Sequence, residues 1–71
     1  MFTKRHYEAV ARVIRKARER AEHEDSIRAK QTEMLYGIGT VEAEIATMFA
    51  ADNPAFDSAR FAVATGRAER V

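Results

Sequence analysis

Seventy-one residues can hold one domain at most, and a chain this short buries only about 60% of the surface it exposes when unfolded. Such domains usually lean on disulfides, a metal or a partner chain, and the absence of cysteine removes both disulfides and thiolate metal sites. With 46% hydrophobic and 32% charged residues the composition suits a folded helical domain, and the +1 net charge excludes strongly polyanionic or polycationic chemistry.

The charge is unevenly spread. Residues 1–20 carry +5, residues 21–59 carry −6 and residues 60–71 carry +2. Two readings follow: a basic first helix attracted to an acidic second one, or a basic helix directed at an acidic partner. The longest apolar runs, such as Met48-Phe49-Ala50-Ala51, are too short to cross a membrane. Arg12, Arg15 and Lys16 break any signal-peptide core, so a cytosolic protein is expected.

In chain order, Thr3 is placed to cap a first helix, with Phe2 and Tyr7 at the two positions of a hydrophobic staple. Tyr7, Val10, Ile14, Ala17 and Ala21 then recur at spacings of three and four, a narrow apolar stripe. The stripe turns polar at His23-Glu24-Asp25-Ser26. A second stripe follows one position out of phase: Ile27, Gln31, Met34, Ile38, Val41, Ile45 and Met48. The phase shift predicts a turn near residues 23–26, with Asp25 or Ser26 capping the second helix. The rival is one long helix to Tyr36 that breaks at Gly37-Ile38-Gly39 and restarts at Thr40.

Tyr36, Gly39, Ala43, Ala46 and Ala50 share another face of the second helix, where small residues would let a second backbone approach. Gly37 and Gly39 each cost about 1 kcal/mol relative to Ala in a helix interior, so an offsetting contact is expected on that face. These five residues are the candidate protein interface, on the third helix or on a second copy. Asp52-Asn53-Pro54 ends the second helix. Asp57 is the predicted N-cap of a short third helix, with Phe56 and Phe61 as its staple and Gly66 as its stop. Residues 67–71 read as a flexible tail after a single domain spanning 1–66. The expected fold is all-α: an antiparallel helical hairpin with a short third helix, dimerising through helix two.

No chemistry stands out against this background. His6 and His23 have no second ligand at metal spacing, and HExxH is absent. Glu42 and Glu44 are too close in sequence to face each other on a helix, and Ser26 and Ser58 sit where capping explains them. Gly37-Ile38-Gly39 lacks the lysine and third glycine of a phosphate loop. The expectation is a protein that is not an enzyme, with no cofactor and no metal. Cations do crowd helix one. Lys4, Arg5 and His6 occupy a first turn where the helix dipole disfavours them. Arg5, Arg12, Arg15 and Lys16 are therefore the candidate nucleic-acid contacts of an alternative reading, although Glu8 and Glu19 interrupt the patch. Exposed apolar surface is the better clue. Met34, Leu35, Met48 and Phe49 with Phe56 and Phe61 exceed what one slim helix covers, which suits protein recognition, while Phe56 and Phe61 read as core beneath helix three.

Two stretches, Phe2 to Ala11 and Ala51 to Phe61, the latter with its Asp-Asn-Pro-x-Phe-Asp-x-x-Arg-Phe pattern, resemble the ends of short proteins of unassigned function encoded by bacteriophages of actinobacteria. The resemblance covers about a third of the chain, and residues 12–50 have no counterpart in it. Arginine outnumbers lysine nine to three, in keeping with high-GC coding. The resemblance implies a phage protein working in the host cytoplasm and carries over no catalytic residue. The expected function is a non-enzymatic protein–protein interaction module, with a homodimer, a host protein or, less favoured, nucleic acid as partner and no membrane.

Overall fold

The computed structural model describes residues 2–24 and 28–68. Three helices follow in order: α1 (Lys4–Glu24), α2 (Arg28–Asp52) and α3 (Ser58–Ala64). Helices α1 and α2 pack as a hairpin, and α3 folds back mainly on α1. The expected hairpin with a short third helix is what forms. Helix α1 continues through His23 and Glu24, two of the residues expected to turn, and the capping candidates Asp25 and Ser26 lie outside the described residues. Gly37 and Gly39 sit inside an unbroken α2, which removes the rival of a rod broken there.

The helix ends follow local chemistry. Thr3 precedes α1 and its carbonyl accepts from the amides of His6 and Tyr7. The reciprocal bond comes from an unexpected residue. His6 turns its Nδ1 back to accept the Thr3 amide at 2.9 Å, the role that Glu or Gln plays in a capping box. Asp57 caps α3 by accepting the Arg60 amide at 3.0 Å, and the Phe56 and Phe61 rings meet at 5.4 Å as a staple should. Helix α3 closes in a Schellman motif: Gly66 has φ 86°, its amide bonds the Val63 carbonyl, and the Arg67 amide bonds the Ala62 carbonyl. Asn53 ends α2 and reaches back with its side-chain amide to the Tyr7 hydroxyl at 3.1 Å. The Phe2 amide meets Asp52 at 2.8 Å, so both ends of the hairpin's closed tip are pinned.

The core is small and mostly aromatic. Phe49 is fully buried and its ring lies within 6 Å of Phe2, Tyr7, Phe56 and Phe61. The tilted and edge-on arrangements are those that aromatic quadrupoles favour. Ala11, Ile14 and Phe61 complete the buried cluster, with Val10, Ile38, Ile45 and Ala46 packed around it.

Candidate functional site

Helix α2 is rotated away from the face that its apolar stripe predicts. The seam against α1 and α3 holds Ile38, Glu42, Ala46 and Phe49, whereas Met34, Val41 and Met48, members of the predicted stripe, are exposed. Glu42 explains the rotation. It is 1% exposed, and its two carboxylate oxygens accept from two guanidinium groups, Arg18 and Arg67. Arg18 Nη1 also donates to the Thr65 carbonyl at 3.1 Å, and Arg67 Nε reaches Glu42 at 2.9 Å. Thr65, fully buried beside them, donates its hydroxyl proton to the Ala62 carbonyl. A buried carboxylate is tolerated only when paired and hydrogen-bonded. The cluster meets that condition, and among the described residues no buried side-chain nitrogen or oxygen lacks a partner.

The network ties the end of α3 to the middle of both long helices. It also anchors the start of the segment expected to be a flexible tail: Arg67 reaches Glu42, and the Arg67 and Ala68 amides both bond the Ala62 carbonyl. Residues 69–71 of that tail lie outside the described residues.

The five candidate interface residues divide into two groups. Ala46 packs on the core cluster, and Gly39 is half-buried with its Cβ position 3.8 Å from the Arg18 guanidinium. The molecule's own packing therefore occupies both. Tyr36, 78% exposed, stands with Ala43 and Ala50 on the outer side of α2 at seven-residue spacing. The four candidate nucleic-acid residues also separate. Arg5, Arg12 and Lys16 are exposed and share the outward side of α1 at spacings of seven and four. Arg15 lies on the flank toward α3, where it pairs with Glu19 at 3.3 Å and lines the α1–α3 cleft with Lys4, Phe56 and Arg60.

The unpartnered surface lies elsewhere, on the flank of the hairpin opposite α3. There an open groove runs between α1 and α2. Its floor is Val10, Ile38 and Ile45, and its walls are Val13 (67% exposed), Met34 and Val41 (55% exposed). Ala9, Ala17 and Gly37 leave it shallow, and Glu33 is its charged lining residue. Sequence reasoning found these residues but read most of them as the closed seam of the hairpin. It missed the Glu42 cluster, for which one signal existed. Arg18 follows Ile14 by four and Glu42 follows Ile38 by four, so opposite charges intrude on both stripes at seam positions.

No three His, Asp or Glu side chains among the described residues are placed to hold a metal ion, and no described helix is long and apolar enough to cross a membrane. Comparison with protein-family models, curated proteins and solved structures finds no match.

Proposed function

We propose that this protein is a non-enzymatic interaction module that docks on another polypeptide through the apolar groove between α1 and α2. The observation that carries the reading is the exposure of Val13, Met34 and Val41 side by side on one flank. A contiguous apolar strip rimmed by charge marks an interaction surface rather than scattered surface hydrophobes. Methionine at such a site adapts to the shape of a partner. The resemblance of the two chain ends to actinobacterial phage proteins supports placing this activity in the cytoplasm of an infected host. Cross-linked capture from an actinobacterial lysate tests the reading. A partner retained after nuclease treatment and lost on Val41→Glu supports docking through the groove, while capture indifferent to that substitution overturns it.

A second reading has its own observation: Arg5, Arg12 and Lys16 aligned and exposed along α1. Three phosphate contacts would make affinity for duplex DNA fall by roughly three decades per decade of salt. Retention on DNA that is independent of salt, or absent, removes this alternative.

A further inference from the structure

We infer that the groove is filled by a second copy of this chain, related by a two-fold axis parallel to the helices, so that α1 of each copy lies on α2 of the other. The inference rests on the docking reading above and names its occupant. Area is the first argument. The molecule measures 39 × 21 × 20 Å, so a long face offers about 800 Å², the share each partner contributes to a standard stable interface. The groove runs along that face and is open at its walls, which leaves room for a complementary helical pair and closes a four-helix bundle.

Charge is the second argument, and it selects the arrangement. By helical spacing, Ala9 and Val13 on the groove side of α1 share a row with Lys16 and Arg20. Gly37 on the groove side of α2 shares a row with Glu33 and Glu44. One lip of the groove is thus basic and the other acidic. A two-fold axis across the helices would set each basic lip on its own copy. An axis along the helices sets basic lip on acidic lip twice. Within one chain Tyr7 stands level with Phe49, and the Gln31 side chain bonds the Glu22 carbonyl. Carried across the axis, that antiparallel register brings Lys16 and Arg20 within about one helical turn of Glu44 and Glu33 of the second copy. It sets Val13 against the second copy's Val41 on the shared apolar floor.

Sedimentation equilibrium of the full chain over a wide concentration range tests this. The expected result is a reversible species of twice the 8.0 kDa chain mass, with micromolar or tighter affinity. Val13→Glu at an exposed position should give a helical monomer, with circular dichroism confirming the fold. Lys16→Glu with Arg20→Glu, and separately Glu33→Lys with Glu44→Lys, should each weaken self-association by roughly tenfold or more, and mixing the two variants should restore a dimer. A chain of 8.0 kDa at every concentration overturns the second-copy assignment while the lysate capture still reports on docking. A dimer that survives Val13→Glu overturns the use of the groove. A dimer that tolerates both charge reversals overturns the two-fold arrangement.

Discussion

The two flanks of the hairpin solve the same problem in opposite ways. On one, α3 and the segment after it cover the helices, five aromatic rings surround one another and a buried carboxylate is neutralised by two arginines. On the other, valine and methionine side chains of the same two helices face outward. Seven residues of α3 are too few to wrap both sides of a 25-residue helix. The flank that received the third helix became the core, and the flank that did not became the surface available to a partner. The contrast teaches that an apolar stripe on a small helical protein records total coverage, part intramolecular and part supplied from outside.

Substitutions on the two flanks should therefore differ sharply in the isolated chain. Phe49→Ala removes the ring at the centre of the closed flank and is expected to cost about 4 kcal/mol, measured by urea denaturation followed by circular dichroism. A loss below about 1 kcal/mol would mean that the aromatic cluster is not the core. Glu42→Ala comes next. It strands the Arg18 guanidinium, whose side chain is 11% exposed, and should cost about 3 kcal/mol. The double replacement Arg18→Met with Glu42→Leu should recover most of that loss, because an apolar pair of similar volume needs no desolvated charges. Thermal melts of the three variants show whether the cluster confers stability or only fixes the packing.

The open flank predicts small effects, one of them a gain. A Cβ added at Gly37 would meet nothing within 4 Å, so Gly37→Ala should stabilise the chain by about 1 kcal/mol through helix propensity alone. The same methyl group projects into the groove, where it should weaken docking, so stability and binding move in opposite directions. Smallest of all, Val13→Ser in dilute monomer should change stability by no more than about 0.5 kcal/mol, whereas the same polar replacement at buried Ile14 should be severe. Equal melting shifts for the two would erase the distinction between the flanks.

Much of the fold was legible before any coordinates. The ends of α2 and α3 follow from Asp52-Asn53-Pro54, Asp57 and Gly66, and the Phe56–Phe61 staple from its spacing, because each depends on residues within one turn of chain. The hairpin itself followed from the phase shift between two stripes. The candidate interface was only partly legible. Tyr36, Ala43 and Ala50 do lie on the surface, but helical spacing grouped them with Gly39 and Ala46, which Arg18 and the core claim. The spacing that marked Met34 and Val41 as apolar did not tell which side of α2 would be covered.

Sequence alone determined the number of helices, their ends and their antiparallel order, since capping, proline geometry and apolar periodicity act over a few residues. The rotation of α2 about its own axis belongs to the tertiary structure. It depends on Glu42 meeting Arg18 and Arg67 across separations of 24 and 25 residues, and on Phe49 finding rings from both ends of the chain. Those contacts draw one face of α2 inward and turn Met34 and Val41 out, and the surface left for a partner is the consequence.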